Sequence, residues 1–348
     1  MAPVTIALDA MGGDHAPVFV VNGIDIARAR FPDANFILYG DQQRILPLLQ
    51  KKRKLKDRCE IRHTDVVIGA DDKPSQALRH GRRSSMRQAI DAVASGDAQG
   101  VVSAGNTGAL MAMAKYVLKT IEGVDRPAIA SFFPTARGES TMLDLGANVD
   151  CDANNLVQFA VMGAAFARTV LGVQRPSVGL LNIGVEEVKG HDAVRRVAQF
   201  LRESDPPFDF YGFVEGGDIA LGTVDVIVTD GFTGNVALKT AEGTARLYSR
   251  FLRAAFRRSV FSRLGYLLAR PALETLRHKV DPRVYNGAMF VGLNGIVVKS
   301  HGGTDATGFA SAIGVAVDMV KGRYGDLILA DFERFGALIQ PIPQAATS

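Results

Sequence analysis

Short apolar runs that stop at a polar residue beside a glycine recur along the chain. The first covers residues 4–8, ends at Asp9 and continues through Gly12 and Gly13. A run of five residues fits a buried strand better than a helix, and paired glycines let the backbone take a positive φ and approach a ligand closely. The same pattern occurs six more times, at residues 36–39, 101–102, 142–143, 179–181, 226–228 and 296–298.

Helix-length stretches separate these runs. They cover residues 18–30, 109–120, 156–170, 193–201 and 310–320, and residues 127–134 form a further strand candidate. Apolar strands alternating with helices indicate a parallel sheet covered on both faces. We therefore predict a Rossmann-like, three-layer α/β/α fold with a mainly parallel central sheet. It spans residues 1–340 as a single catalytic domain of one or two lobes, and residues 341–348 form a flexible tail.

The polar residues after these strands are candidates for one binding site. In a parallel sheet the carboxyl ends of the strands meet at one edge, where ligands bind. Turn and cap chemistry is enough to explain any single loop, but its recurrence favours a shared site. We expect these loops to line one edge of the sheet. The candidate binding residues are Asp9, Gly12, Gly13, His15, Asn106, Thr107, Asp144, Asn148, Asp230, Thr233, Lys299 and His301.

Residues 243–280 form an amphipathic helical extension. Between residues 243 and 273 there is no acidic residue, and seven arginines alternate with Phe and Leu. This composition is typical of a helix lying at a membrane surface, and it also fits a helix packed on a second subunit. The two interpretations are compatible. The apolar residues predicted to contact the membrane are Phe251, Phe256, Val260, Phe261 and Leu264.

Bulk composition limits the class of protein. The chain has 348 residues, 47% of them hydrophobic, and a net charge of +4. Cys59 and Cys151 lack paired spacing, which fits two free thiols in a reducing cytosol. The first residues do not have the pattern of a secretory signal, and no apolar stretch is long enough to span a membrane. The positive charge suits anionic partners, but no nucleic-acid motif accompanies it.

A basic surface, separate from the extension at residues 243–280, follows Pro74. It contains Arg79, Arg82, Arg83 and Arg87 and lies close in sequence to the loop after residues 101–102. Such a face steers an acidic partner in a salt-dependent way. We predict that it is a docking surface.

Several kinds of chemistry lack their motifs. The chain has no GxSxG elbow, no HExxH pair, no GxGxxG fingerprint and no Walker pattern, so we expect neither a metal nor a cofactor. What remains is a set of helix N-termini together with Lys189, Asn235, Lys299 and His301. This inventory suits a small oxyanion such as phosphate and a reaction that develops negative charge on oxygen.

Six ordered sequence blocks carry a family resemblance. They read IALDAMGGDHAP, VVSAGNTGALMA, LDLGANVD, NIGVEEVKG, DVIVTDGFTGNVALK and GIVVKSHGGTD. Together they resemble the acyl-ACP:phosphate acyltransferases of bacterial phospholipid synthesis (PlsX type) between residues 6 and 309. The chain departs from the family at VEEVKG and SHGGTD, where TEEGKG and SHGSSD are more usual, but it keeps the charged residues. The resemblance implies a fold like that of isocitrate and isopropylmalate dehydrogenases.

The resemblance also implies an activity and its partners. A fatty acyl group would move from the thioester of acyl carrier protein to inorganic phosphate, with Lys189 holding phosphate and Asn235 donating to the carbonyl oxygen. The enzyme would be a cytoplasmic homodimer in peripheral contact with anionic membrane. A membrane glycerol-3-phosphate acyltransferase would use the acyl phosphate. The basic surface at residues 79–87 would dock the carrier protein.

Three alternatives stay open at the level of sequence. A short-chain phosphotransacetylase acting on acyl-CoA shares the chemistry without needing the amphipathic segment. A metal-dependent dehydrogenase is favoured if Asp225 and Asp230 hold a divalent ion. A non-catalytic scaffold would tether carrier protein to membrane and form no acyl phosphate.

Overall fold

The computed structural model describes residues 3–279, 281 and 283–335. Within them the chain forms one sheet of 11 strands. The strands are β1 (Thr5–Asp9), β2 (Asn35–Gly40), β3 (Cys59–His63), β4 (Gly100–Ser103), β5 (Ala128–Thr135), β6 (Gly138–Leu143), β7 (Ser177–Leu181), β8 (Asp209–Val214), β9 (Val226–Val228), β10 (Ala288–Val291) and β11 (Ile296–Lys299).

Helices connect most of the strands. They are α1 (Val18–Arg30), α2 (Gln42–Gln50), α3 (Pro74–His80), α4 (Ser85–Ser95), α5 (Thr107–Leu118), α6 (Ala153–Leu171), α7 (Asp192–Glu203), α8 (Gly216–Leu221), α9 (Gly231–Arg257), α10 (Val260–Lys279), α11 (Ala306–Lys321) and α12 (Tyr324–Phe335).

Hydrophobic side chains cover both faces of the sheet. Along β1, Ile6 and Leu8 point into a core shared with α1, α6, α7, α11 and α12, whereas Ala7 points into a second core shared with α4, α5 and α8. Successive strand residues face opposite sides of a sheet, so this division shows helices packed on both faces. The α6 helix is buried almost all round, as expected for a helix at the centre of the larger core. The predicted α/β/α layering is confirmed.

The direction of the strands changes midway through the sheet. The strand order is β3-β2-β1-β4-β11-β10-β5-β6-β9-β7-β8. The first five strands are mutually parallel, and so are the last four. Between the two groups lie three antiparallel pairings, β11 with β10, β10 with β5, and β5 with β6. Three reversals are an odd number, so the two parallel groups run in opposite directions.

This reversal contradicts the expectation that all the polar loops line one edge. The carboxyl ends of β1, β2, β4 and β11 lie at what we call the first edge. The carboxyl ends of β6, β9 and β7 lie at the other end of the strand direction, which we call the second edge. A single chain therefore has two separate groups of polar loops, one at each end of the strands.

Most predicted elements are present, with identifiable exceptions. The helix predicted at residues 18–30 has the same limits in the structure, and Asn106 caps α5. The strands β3, β8 and β10 and the helices α2, α8 and α12 were not predicted. The first two have half-buried, polar-rich sequences that lack the continuous apolar run of a central strand. The predicted tail at residues 341–348 lies outside the described residues.

The amphipathic segment is a pair of helices. The α9 helix starts at the second edge, where Ala237, Leu238 and Ala241 pack against the smaller core, and continues beyond that core. Arg258 and Ser259 separate it from α10, which packs against it. We call the part of this pair from residue 243 onward the hairpin. Among the described residues, no helix combines the length and apolar character needed to cross a membrane.

Candidate active site

A buried carboxylate organises the loop after β6 at the second edge. Asp144 is fully buried and accepts hydrogen bonds from the backbone N–H groups of Ile129 (2.9 Å), Ala147 (3.1 Å) and Asn148 (2.7 Å). The Asn148 Nδ2 group also donates to it at 2.9 Å. Burial raises the pKa of Asp144 above its ordinary value, and these bonds act in the opposite direction. Asp144 and Asn148 thus shape the loop, with their polar atoms directed into the protein.

The start of α9 packs directly on this loop. Asp230 caps the helix, because its carboxylate accepts from the backbone N–H of Thr233 and from the Thr233 hydroxyl, both at 2.8 Å. The Gly231 N–H donates to the Asn148 carbonyl at 2.7 Å. A Cβ atom at Gly234 would lie 1.9 Å from the Asp144 carbonyl oxygen, so only glycine permits this approach. The loop after β6 and the start of α9 are thus packed against each other, and we call them together the platform.

Asn235 is presented on this platform. It lies in the first turn of α9 and is exposed, and among the described residues its side chain makes no hydrogen bond. Gly146, which has a positive φ of 123°, passes close beside it: a Cβ there would lie 3.6 Å from the Asn235 Cβ. The Asn235 amide is therefore held against the loop after β6 and is available to a ligand.

Lys189 follows the neighbouring strand. Its loop, residues 182–190, is tied by the Asn182 side chain, which donates to the carbonyls of Gly184 (3.1 Å) and Lys189 (3.2 Å). The Lys189 side chain is exposed, and no described carboxylate lies within ion-pair distance of it. Since β7 pairs directly with β9, Lys189 and Asn235 emerge from adjacent strands at the same edge.

The first edge is built around a second buried carboxylate. Asp9 accepts hydrogen bonds from the hydroxyls of Ser85 and Ser103, both at 2.7 Å, and from the Met11 N–H at 3.3 Å. Burial raises the pKa of Asp9 above its usual range. A Cβ atom at Gly12 would lie 2.4 Å from the Asp9 carboxylate, which explains why a glycine is required there. Sequence reasoning missed Ser85 and Ser103, although Ser103 directly follows an apolar run.

Lys299 lies beside this carboxylate at the end of β11. Its ammonium donates to the carbonyl of Ala104 at 3.4 Å and to its neighbour, the carbonyl of Ser300. Burial lowers the pKa of Lys299 to about 8, while the carboxylates of Asp9 and Asp14 act to raise it. This lysine therefore stays charged at neutral pH and loses its charge as the pH rises through about 8.

The other predicted binding residues of the first edge are Asn106, His301, His15, Thr107 and Gly13, and their surroundings differ. The Asn106 side chain is fully used, because its oxygen accepts from the Ala109 N–H at 3.0 Å and its nitrogen donates to the carbonyls of Ala70 and Asp72. His301 accepts from the Gly303 N–H at 3.2 Å. His15 and Thr107 are exposed, and Gly13 has a positive φ of 99°. The Asn106 side chain therefore has a structural role as the cap of α5, and its hydrogen-bonding groups are already used.

The basic surface borders the first edge. Arg79, Arg82 and Arg83 are exposed, and no ion pair is found for them among the described residues. They precede Ser85, which bonds to Asp9, and this places them next to the first-edge loops. Arg87 differs, because it pairs with Asp91 at 2.9 Å and lies over the Tyr116 ring.

The hairpin exposes most of its predicted apolar contacts. Phe251, Val260, Phe261 and Leu264 are all more than half exposed. Phe256 is different, since it packs edge-on against Tyr266 with ring centroids 5.4 Å apart. Phe256 therefore contributes to the packing between α9 and α10.

One alternative from the sequence is contradicted by the strand geometry. Asp225 precedes β9 and accepts from the Ser177 N–H (2.8 Å) and hydroxyl (2.7 Å), whereas Asp230 follows β9 at the second edge. Five residues of extended chain separate them by roughly 16 Å, too far for both to hold one ion. A dehydrogenase reaction that depends on that shared ion is not supported.

Comparisons with known proteins agree with this architecture. A family model described as a fatty acid synthesis protein matches residues 4–324. A phosphate acyltransferase from Rhodospirillum centenum is 63% identical over 335 residues, which cover 96% of this chain and 94% of that protein.

Two solved structures share the fold. A phosphotransacetylase from Streptococcus pyogenes superimposes with a TM-score of 0.63 at 17% identity, over 92% of this chain and 94% of its own. A 4-hydroxythreonine-4-phosphate dehydrogenase from Klebsiella pneumoniae has a TM-score of 0.52 at 13% identity, over 92% of this chain and 98% of its own. At these identities the likeness concerns the fold alone, and it confirms the predicted α/β class.

Proposed function

Because this chain belongs to the phosphate acyltransferase family of fatty acid synthesis proteins, we propose that it transfers a long-chain fatty acyl group from acyl carrier protein to inorganic phosphate. The product would be an acyl phosphate for phospholipid synthesis. One observation carries this proposal. Lys189 and Asn235 emerge from adjacent strands at one edge, both exposed and both without a protein partner among the described residues.

The chemistry needs positioning more than activation. A phosphate oxygen attacks the thioester carbonyl, the C–O bond forms, and the C–S bond breaks to release the carrier thiolate. Lys189 holds phosphate and offsets its charge, while the Asn235 amide donates to the carbonyl oxygen as negative charge develops. A thiol has a reference pKa of about 8.5, so the thiolate leaves without a strong general acid. His15 and His301 remain secondary candidates for proton transfer.

A homodimer would bring the predicted residues of both edges to one site. One chain places Lys189 and Asn235 at the second edge and Asp9, Lys299 and His301 at the first edge. Both sets therefore act on one substrate only where the second edge of one copy meets the first edge of another. Closed dimers with a two-fold axis would form two such sites. In this arrangement Lys299 supplies a second cation for phosphate.

The surroundings suit the proposed partners. The exposed arginines Arg79, Arg82 and Arg83 border the first edge and would dock the acidic carrier protein. The protein would be cytoplasmic, and the hairpin, with its arginines and exposed Phe and Leu, would contact the surface of an anionic membrane. There it would pass acyl phosphate to a membrane glycerol-3-phosphate acyltransferase.

The activity is tested by incubating the purified protein with palmitoyl carrier protein and phosphate and detecting acyl phosphate by mass spectrometry. Palmitoyl phosphate is the expected product, formed without added metal or cofactor. Product from acetyl-CoA alone would instead identify a short-chain phosphotransacetylase. If no thioester yields acyl phosphate, the non-catalytic scaffold is the better account.

The membrane contact is tested by flotation with anionic vesicles. Phe261→Asp is expected to abolish flotation without changing turnover, because Phe261 is 87% exposed on the hairpin. Phe256 is unsuited to this test, since its loss would disturb the packing with Tyr266. Unchanged flotation would reject the membrane role.

A further inference from the structure

Exposed apolar side chains are concentrated around the second edge. Large apolar residues with 49% to 80% exposure lie on the two segments of the platform, which carries Asn235, and on the loop that carries Lys189. Exposed apolar side chains that gather around a few polar groups mark binding sites on protein surfaces. We call these residues the apolar rim: Val149, Ile183, Val185, Val188, Phe232 and Val236.

Half of the rim surrounds Asn235. Phe232, Asn235 and Val236 are spaced i, i+3 and i+4 on α9, which puts them on one face of the helix. Val149 joins them, because its neighbour Asn148 accepts the 2.7 Å hydrogen bond from the Gly231 N–H. These apolar side chains therefore flank the amide proposed to meet the thioester carbonyl.

The other half flanks Lys189. Ile183, Val185 and Val188 share its loop, and their side chains are 80%, 62% and 77% exposed. The loop begins at the end of β7, which pairs with β9, and α9 follows β9 at the same edge. A ligand that spans the two loops would meet apolar side chains on both sides of a central polar pair.

We propose that the apolar rim binds the acyl chain of the donor, while Lys189 and Asn235 engage its reacting head. This inference rests on the proposed function. A thioester whose carbonyl meets Asn235 must place its first methylenes next to that residue, and the rim provides the apolar surface there. Each methylene withdrawn from water strengthens binding by roughly fourfold.

The chemistry of the rim disfavours other occupants. Glu186 lies in the same loop as the rim without an ion pair among the described residues, and an anionic lipid surface would repel it. The hairpin has the opposite character, with arginines among its apolar residues. Centres of protein interfaces are enriched in Trp, Tyr and Arg, whereas the rim is built mainly of Val and Ile. An uncharged aliphatic chain fits this composition best.

The test compares donors of different chain length. The variant Ile183→Ser/Val188→Ser/Phe232→Ser would be assayed with palmitoyl and with butyryl carrier protein. Leu221→Ser is the matched control, because Leu221 is 60% exposed but ends α8, which precedes β9 at the opposite side of the sheet. We expect KM for the palmitoyl donor to rise at least tenfold in the triple variant. KM for the butyryl donor should rise much less, because its short chain has only two methylenes to lay against the rim, and the control should match wild type.

Two further measurements separate the possible outcomes. The mass of the assembly, measured by light scattering, should be the same in the triple variant and in wild type. A smaller assembly, or equal losses with both donors, would overturn the proposal, because the rim would then serve a second copy or the platform itself. If wild type makes no acyl phosphate at all, the proposed function fails. Binding of a fluorescent long-chain fatty acid then decides the rim: weaker binding by the triple variant supports it, and equal binding overturns it.

Discussion

The two edges of the sheet use polar residues in contrasting ways. At the first edge, Asp9 is buried under two serine hydroxyls, and Lys299 donates to carbonyl oxygens beside it. At the second edge, a buried carboxylate again braces a loop, but Lys189 and Asn235 extend into solvent without protein partners among the described residues. Buried polar groups must satisfy one another, whereas exposed ones remain available to a substrate. The second edge is therefore the better candidate for the reacting groups.

The comparison is tested most strongly by removing the exposed pair. Lys189→Ala and Asn235→Ala are each expected to lower kcat by about 10²- to 10³-fold, the usual effect of losing one stabilising group at a developing oxyanion. Their melting temperatures should not change, since neither side chain bonds to the protein. Lys239→Ala is the control, because Lys239 is also exposed on α9 but pairs with Glu242 at 3.0 Å. Near wild-type turnover in both variants would remove the assignment.

Removing the buried carboxylate of the first edge should instead damage the fold. Asp9→Ala leaves Ser85 and Ser103 without their acceptor and is expected to lower the free energy of unfolding by about 3 kcal/mol. Asp14→Ala, at an exposed residue of the same loop, should change it by less than about 0.5 kcal/mol. Chemical denaturation measures both. Equal stabilities would mean that the Asp9 network does not brace this edge.

Lys299 predicts a pH dependence of phosphate binding. The pKa of Lys299 is lowered to about 8, so its positive charge is present below that pH and lost above it. KM for phosphate in wild type should therefore rise by about tenfold between pH 7 and pH 9, one tenfold step per pH unit above the pKa. Lys299→Arg keeps its charge, because the arginine pKa exceeds 12, and its KM should vary less. Identical pH profiles would exclude Lys299 from phosphate binding.

The exposed arginines predict a smaller, salt-dependent effect. Reversing their charge in Arg79→Glu/Arg82→Glu/Arg83→Glu should raise KM for the carrier substrate by about tenfold at low ionic strength, because charges at the periphery of an interface mainly steer association. The difference should shrink as salt is added. Arg87→Glu is a poor control because Arg87 is already paired with Asp91. Arg53→Glu is preferred, because Arg53 is exposed, has no ion pair among the described residues and precedes β3, away from the carboxyl ends of the first-edge strands. An unchanged KM would count against docking there.

Local features of the site were predictable because they depend on neighbouring residues. The apolar run that ends at Asp9 and the limits of the helix at residues 18–30 both follow from short-range patterns. The close approach of Gly12 to the Asp9 carboxylate was not predicted, since the paired glycines were expected to face a ligand. The placement of Lys189 and Asn235 on neighbouring loops followed from family resemblance and is consistent with the pairing of β7 and β9.

The separation of the two edges was not predictable in the same way. It depends on β10 and on the antiparallel pair β5 and β6, whose turn at Ala136 and Arg137 reverses the chain before Gly138. A glycine between two strand-like runs was the available signal for a hairpin, but it does not specify which strands pair across the sheet. Strand direction is a property of distant pairing, and only the structure shows it.

The central claim is that Lys189 of one copy and Lys299 of another act on the same substrate. Lys189→Ala and Lys299→Ala would be assayed at low phosphate, alone and after mixing by co-expression. Random mixing puts about half of the dimers in mixed form, each with one complete site, so activity should return to about a quarter of wild type. Mixed dimers no more active than the separate variants would contradict the account, because both lysines would then have to act within one chain.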